Sequence, residues 1–305
     1  MDFPRNQLEL EKRFATNGAC RDYIFNLRFP NGFVCPACGS PEYWEQTRDR
    51  ITCSKCLHEC SSLNGTLFHK THLPLTLWFR AAWWITNQKQ GVNALGLQRA
   101  LGIGSYRTSW MLLQKLRTAM VRPHRDLLKG NVEVDEIWLG GMGTVGKKMR
   151  INKRLVLTCV ENDGGRIGRI RMKLIPNTSA DTLCSGIQQF VAAGSTIETD
   201  GWPAYLSIAE HGYKHIRRVT PESRVDIREQ NILPKVHRVA SLFKRWVLGT
   251  YQGKIDTKHL PAYLDEFVFR FNRRTSKSRG LLFYRLLENT VQMRPHNYKT
   301  ITGHA

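Results

Sequence analysis

Four of the eight cysteines fall in two short pairs, Cys35-x2-Cys38 and Cys53-x2-Cys56, fourteen residues apart in "FVCPACGSPEYWEQTRDRITCSKC". A Cys-x2-Cys pair on a tight turn points two thiolates at one point, and two such pairs complete the closed tetrahedron that Zn²⁺ prefers. The spacing therefore predicts a structural zinc ribbon, with a hairpin between the pairs and Gly39 suiting the first knuckle. His58 and Cys60 are substitute ligands that two symmetric pairs make unnecessary. Cys20, Cys159 and Cys184 read as small buried apolar residues.

The second chemical group is a set of carboxylates. Asp135 lies in "NVEVDEIWLGG" and Asp200 in "STIETDGWPAYL". Both stretches read as strands, and if those strands are neighbours the two side chains can meet. Carboxylates held close together repel unless a cation lies between them. Mg²⁺ is the usual cation for phosphoryl chemistry, taking one or two protein carboxylates and leaving its other positions to water and phosphate. A pair of such ions about 3.5–4 Å apart activates the attacking oxygen and stabilises the leaving one. On the residues alone, two solvated strand-end acids, a common occurrence, account for this spacing better than catalysis does.

The elements that must position these groups follow from hydrophobic period and caps. Residues 1–30 suit one or two short helices, and residues 74–90, "PLTLWFRAAWWITNQKQ", form a helix rich in large apolar groups. Ala94, Leu95, Leu97, Ala100 and Leu101 make a short helix, with Gly102 and Gly104 at the turn. From Ser105 a second helix places Trp110, Leu112, Leu113 and Leu116 on its apolar side. That is helix-turn-helix patterning, offering Tyr106, Arg107, Lys115 and Arg117 to DNA. Strands in "NVEVDEIWLGG", "RLVLTCVEN" and "GRIRMKLIP" follow, the last two joined by an Asp163-Gly164-Gly165 turn. A helix capped by Ser179 or Asp181 precedes the strand ending at Gly201-Trp202-Pro203. Residues 233–250 and 259–273 read as helices. The order βββαβ with a helical tail fits an α/β ribonuclease-H-like mixed sheet flanked by helices, though a few strands do not single out that fold. The expected divisions are 1–66 for N-terminal helices and zinc ribbon, 67–126 for the helix-turn-helix-like region, 127–290 for the core, and 291–305 for a tail.

Composition bounds the function classes. The chain has 305 residues, 41% of them hydrophobic and 23% charged, as in ordinary globular proteins rather than disordered ones. No run approaches the ~18 apolar residues of a membrane span, and "MDFPRNQLELEKRF" lacks the pattern of a signal peptide. We therefore expect a cytoplasmic protein, where paired cysteines favour metal over disulfides. The net charge is +21 and it is segregated: +9 over residues 61–130, zero over 131–210 and +10 over 211–280. Two basic segments flanking a carboxylate-bearing one suit a polyphosphate partner, double-stranded DNA.

From "FPNGFVCPACGS" through "VEVDEIWLGG", "TIETDGWPAY" and "SLFKRWVLGTYQG" to "YLDEFVFRFNRR", the chain resembles bacterial insertion-sequence transposases of the ISXO type, which join an N-terminal zinc ribbon to a DDE-type core. The resemblance covers roughly residues 15–290. It implies a divalent metal, Mg²⁺ or Mn²⁺, held by two Asp and a third residue. It also implies cleavage at the element's terminal inverted repeats, strand transfer into target DNA, and a nucleoid-associated homo-oligomer on that DNA. The first two ligands fall on Asp135 and Asp200. The usual third acid stands four positions before the Ser of "SLFKRW", where this chain has His237, as in a DDH variant.

Helical spacing puts Val236, Val239, Ala240, Phe243 and Trp246–Val247 on an apolar side and His237 on its bordering edge. An imidazole is a softer ligand than carboxylate and moves preference from Mg²⁺ towards Mn²⁺ or Zn²⁺; it also orients water or shuttles a proton. Glu222, Asp226, Glu229 and Glu198 are competing third acids. Glu136 is set aside because it points to the opposite face of a regular strand from Asp135. Lys147, Lys148, Arg150, Lys153, Arg154, Lys244, Arg245, Arg273 and Arg274 are expected to contact phosphates, together with Arg107, Lys115 and Arg117. Competing functions are a zinc-ribbon DNA-binding regulator with an inert core and a related metal-dependent nuclease.

Overall fold

Side-chain oxygens stand just before most of the helices, where free backbone N–H groups need acceptors. The computed structural model describes residues 2–46, 50–122, 125–140, 142–145, 148–151, 153–218, 232–253 and 255–303, with backbone alone within 142–151. The chain forms two compact units, Met1–Arg122 with Ser276–Ala305, and Pro123–Thr275.

In the first unit, α1 (Gln7–Arg13) is capped by Asn6 and α2 (Asn17–Arg28) by Thr16. The strands β1 (Tyr43–Gln46), β2 (Arg50–Cys53) and β3 (Glu59–Cys60) form a small antiparallel sheet. Helix α3 (Leu75–Asn87) is apolar nearly all round, and Trp78, Phe79, Trp83 and Ile85 are buried. Helix α4 (Ala94–Leu101) ends at Gly102 in the left-handed conformation at φ +63°. Helix α5 (Tyr106–Thr118) begins at its Ser105 cap, so the helical pair expected from the sequence is present.

The second unit is built on a five-stranded sheet. Its elements are β4 (Asn131–Leu139), the β5 (Met142–Val145) and β6 (Lys148–Ile151) hairpin, β7 (Arg154–Asp163), β8 (Arg166–Ile175), α6 (Ala180–Phe190), β9 (Thr196–Thr199), a 3₁₀ stretch Pro203–His211, β10 (Lys214–Arg217), α7 (Pro234–Tyr251) and α8 (Leu260–Asn272). The order is β10-β9-β4-β7-β8, with β4, β7 and β8 antiparallel and β9 and β10 parallel to β4 and to each other. A three-stranded meander with two parallel strands added beside its first strand is the ribonuclease-H-like arrangement. The β7–β8 turn uses Gly164 (φ +56°) and Gly165 (φ +85°), positions that L side chains rarely adopt.

Strand alternation fills both faces. Val132, Val134, Leu155, Leu157 and Cys159 pack with Leu183, Ile187 and Phe190 of α6. A Cβ on Gly186 would collide with Leu157 Cδ2, so α6 lies close against β7. On the other face Ile137, Val160, Ile170 and Met172 meet Val236, Val239 and Phe243 of α7 and Leu264, Phe267 and Phe271 of α8.

Two helices complete the first unit, α9 (Arg279–Gln292) and α10 (Tyr298–Thr302). The sequence expectation carries the core to residue 290, whereas the second compact unit ends at Thr275. Phe283 of α9 sits edge-on to Phe79 and Trp83, and the Leu67 N–H bonds Thr290 O, so α9 belongs with the N-terminal helices rather than with the core. The sequence expectations also contained no β5–β6 hairpin, β10 or 3₁₀ stretch. Among the described residues no helix is long and apolar enough to cross a membrane.

Candidate metal centres and nucleic-acid contacts

The two cysteine pairs stand on matching knuckles. The Gly39 N–H bonds Cys35 O at 2.9 Å and the Leu57 N–H bonds Cys53 O at 3.0 Å. The residue after each second cysteine is left-handed, Gly39 at φ +73° and Leu57 at φ +59°. Cys35 Sγ lies 3.6 Å from Cys56 Sγ, Cys38 Sγ lies 3.5 Å from Cys53 Sγ, and all four sulfurs fall within 4.8 Å of one another. A tetrahedron with Zn–S bonds of about 2.3 Å has edges of about 3.8 Å, so the donor set fits Zn²⁺. The Cys56 backbone N–H is the chief group lowering the Cys53 thiol pKa, whereas the neighbouring thiols push the Cys56 thiol up, as expected where four thiols crowd one point and share few protons. Cys60 and His58 stand outside this cluster, and Cys20, Cys159 and Cys184 are buried.

In the second unit the parallel β4–β9 pairing, with Glu133 opposite Glu198, brings the Asp135 and Asp200 strands side by side. Asp135 is on β4, and Asp200 follows the last residue of β9. The Asp200 carboxylate is turned by the Trp202 N–H, which donates to Oδ1 at 3.0 Å. Asp135 Oδ1 accepts the Glu136 N–H at 2.8 Å, while its Oδ2 faces His237 Nε2 at 3.3 Å. Burial pushes the Asp135 carboxyl up; His237 opposes that shift and the negative field of Asp200 adds to it. His237, on the first turns of α7, is about half exposed, whereas Asp135 keeps a fifth of its side chain exposed.

The structure thus brings Asp135 and His237 into contact and sets Asp200 within electrostatic reach of Asp135. Asp200 does not converge with them at one point, since among the described residues only the four cysteines form a group of three or more candidate ligands within 4.8 Å. Glu198 pairs with Arg218 at 2.9 Å rather than joining Asp135. Glu222, Asp226 and Glu229 lie outside the described residues. Glu136 does face the opposite side, where Tyr205 donates to its Oε1. Burial pushes the Glu136 carboxyl up to about 7, with Asp135 and Asp200 adding to the shift, so it still senses the site.

One group that sequence reasoning missed is Glu133, two residues before Asp135. It is 4% exposed and accepts from the backbone of α7. An acid at alternate spacing from Asp135 is its only trace in the sequence.

The basic residues divide by exposure. Lys153, Arg154, Lys244 and Arg245 are exposed on the second unit. Arg107 is exposed on the first, with its guanidinium 4.1 Å from the Tyr298 ring centre. Arg117 corrects an expectation: it is 1% exposed and donates to Val92 O at 3.0 Å, so it is packed inside the first unit. Lys115 is half-buried over the Trp78 ring, and burial lowers its pKa. Arg273 stacks 4.0 Å over Phe269. Arg274 stacks over Phe271 and donates to Ile167 O and Gly168 O, tying α8 to β8. Lys147 lies outside the described residues, as do the side chains of Lys148 and Arg150.

A family model described as ISXO2-like transposase domain matches residues 127–272, and one described as transposase zinc-ribbon domain matches residues 15–59. Among solved structures, the catalytic core domain of BIV integrase is 16% identical at a TM-score of 0.32, over 50% of this chain and 89% of that one. A simian T-cell lymphotropic virus intasome, in complex with PP2A regulatory subunit B56 gamma, is 14% identical at 0.33, over 67% and 72%. No curated protein matches the chain. The two family matches fall on the four-cysteine knuckles and on the sheet that carries Asp135 and Asp200: residues 15–59 are a transposase zinc ribbon and residues 127–272 an ISXO2-like transposase domain.

Proposed function

We propose that this chain is the transposase of an insertion sequence, which binds the element's terminal inverted repeats, cleaves there and joins the freed ends to target DNA. Asp135, Asp200 and His237 form its reaction site as a DDH variant. The observation that carries the reading is the 3.3 Å approach of His237 Nε2 to Asp135 Oδ2 inside the transposase domain.

The donor set suits a divalent cation. Asp200 lies within electrostatic reach of Asp135 without converging on it, and burial together with the field of Asp200 raises the Asp135 pKa, a cost that a bound cation drawing the groups together offsets. Asp135, Asp200 and His237 would hold Mg²⁺ or Mn²⁺. Such an ion lowers the pKa of bound water and stabilises charge on the attacking and leaving oxygens of phosphoryl transfer.

The chain's own residues supply the rest. Asp135 stays fixed because its Oδ1 is held by the Glu136 N–H, and Asp200 because the Trp202 N–H holds it. In cleavage, water adds to phosphorus, the P–O3′ bond breaks and the 3′ oxygen takes a proton. In strand transfer, that 3′-hydroxyl attacks a target phosphodiester and a second 3′ oxygen leaves. Exposed Arg107, Lys153, Arg154, Lys244 and Arg245 are the cations placed to neutralise phosphates. Bringing two ends together in the cytoplasm calls for a homo-oligomer on the DNA.

The test is cleavage and strand transfer on a duplex carrying the inverted repeats that flank the gene, with Mg²⁺ or Mn²⁺. Asp135→Ala and Asp200→Ala are expected to abolish cleavage and His237→Ala to lower it roughly 10–100-fold, all three retaining end binding. Full activity of His237→Ala would remove it from the site. Function unaffected by Asp135→Ala would mark a DNA-binding regulator, and cleavage without joining a nuclease.

A further inference from the structure

Helix α7 begins without a cap of its own. Its N-cap residue, Leu233, offers no side-chain acceptor, and Pro234 at the first helical position has no N–H. The first backbone donors are therefore Lys235 and Val236, and both go to one oxygen of Glu133. Lys235 N lies 2.8 Å and Val236 N 3.0 Å from Glu133 Oε2. The other oxygen faces the Lys235 ammonium at 3.3 Å. Glu133 is 4% exposed, so little water competes for these bonds.

The placement ties two motifs together. Glu133 and Asp135 are alternate residues of β4 and share a face of the sheet. Lys235 and His237 are two residues apart on the first turns of α7. Glu133 grips the helix start, and two residues further along each element Asp135 meets His237 at 3.3 Å. A carboxylate also complements the positive end of the helix dipole. Glu198, opposite Glu133 on β9, is paired separately with Arg218, so each of the adjacent acids has its own cation.

We propose that Glu133 is a positioning residue for the reaction: a cap supplied from β4 that fixes the first turn of α7 and thereby holds His237 against Asp135. It rests on the reading of His237 given above. Glu133 touches neither DNA nor the reacting atoms, and it acts through the helix it anchors.

The test uses the full-length chain and two readouts. The first is amide hydrogen exchange in the first turn of α7 for wild type, Glu133→Gln and Glu133→Ala. Loss of the cap in Glu133→Ala is expected to speed exchange there by roughly tenfold and to leave β4–β7 protected. Glu133→Gln keeps an oxygen acceptor and is expected to stay near wild type. The second readout is Mn²⁺-dependent nicking of supercoiled plasmid, measured below each variant's melting temperature, in a double-mutant cycle with His237→Ala. Glu133→Ala is expected to lose roughly 10–100-fold, to be largely rescued by Gln, and to cost nothing further once His237 is Ala. Unchanged exchange in Glu133→Ala would overturn the proposal, and so would losses that multiply with those of His237→Ala. Full nicking by His237→Ala alongside an opened α7 in Glu133→Ala would overturn the reading of His237 while confirming the anchor.

Discussion

The His237 imidazole stands 3.3 Å from the Asp135 carboxylate, where the resemblance to DDE transposases places a third acid. An acid at that distance would add repulsion to a carboxylate already pushed up by burial and by Asp200. The imidazole instead favours the charged form of Asp135. It also changes the donor chemistry offered to a cation.

Metal preference is the measurable result. An imidazole nitrogen favours Mn²⁺ over Mg²⁺ more than a carboxylate oxygen does. His237→Glu is therefore expected to lower the ratio of Mn²⁺-supported to Mg²⁺-supported cleavage, while His237→Ala loses roughly 10–100-fold with either ion. The check is the initial cleavage rate under each ion at matched concentration. A ratio identical in wild type and His237→Glu would remove the nitrogen from the ion's ligands.

Zinc is expected to be structural and to bind once per chain. Among the described residues the ribbon's own buried cluster holds Phe33, Cys35, Ile51 and Cys53, with Phe25, Phe29 and Cys60 partly buried against it. Few apolar groups are on hand to hold the knuckles without metal. Cys53→Ser, or a strong chelator, is expected to abolish the single equivalent of zinc found by elemental analysis. It should speed amide exchange in β1–β2 and leave β4, β7 and β8 protected. Chelation that leaves β1–β2 equally protected would make the metal dispensable for the ribbon.

What the sequence disclosed follows the range of the physics involved. The knuckles were legible because two residues between cysteines fix a local turn. The β4 and β9 strands were legible from apolar alternation, and their pairing brings Asp135 and Asp200 near each other. His237 came from a resemblance, since nothing local marks one histidine on a basic helix. Glu133 was invisible because its partners are backbone N–H groups about a hundred residues away. Arg117 was misread because a helical wheel cannot show that α3 and α4 both pack on α5. Helix α9 went unread, although its Phe283 completes the aromatic cluster of the first unit.

Arg117 and the pair Lys244–Arg245 are expected to respond in opposite ways. Arg117→Ala removes a buried hydrogen bond to the Val92 carbonyl and opens a cavity, which destabilises the first unit by roughly 2–4 kcal/mol. Its DNA affinity, measured well below the melting temperature, is expected to keep its salt dependence. Lys244→Ala with Arg245→Ala removes two exposed cations. Stability should hold, while the slope of log affinity against log salt shrinks by roughly 1.8, about 0.9 for each phosphate no longer neutralised. Thermal unfolding and a salt titration of DNA binding separate the two cases. An unchanged slope in the double variant would place those lysine and arginine side chains away from phosphate.

Asp265 on α8 gives the second unit a pH signature. Burial pushes its carboxyl up to about 6, over the opposing attraction of Arg125. The folded state therefore keeps a proton that the unfolded chain releases near the ordinary value of 3.8. Between those two values the native state binds more protons, so this group's contribution to stability falls as pH rises and levels off above about 6. Asp265→Asn is neutral throughout and removes that slope. Its unfolding free energy relative to wild type is expected to rise across the same window and stay higher at pH 7.5. Denaturant unfolding at pH 4, 5, 6 and 7.5 measures the difference. A constant offset between the two proteins would mean that Asp265 is already ionised in the folded chain at the lowest pH, with Arg125 outweighing burial.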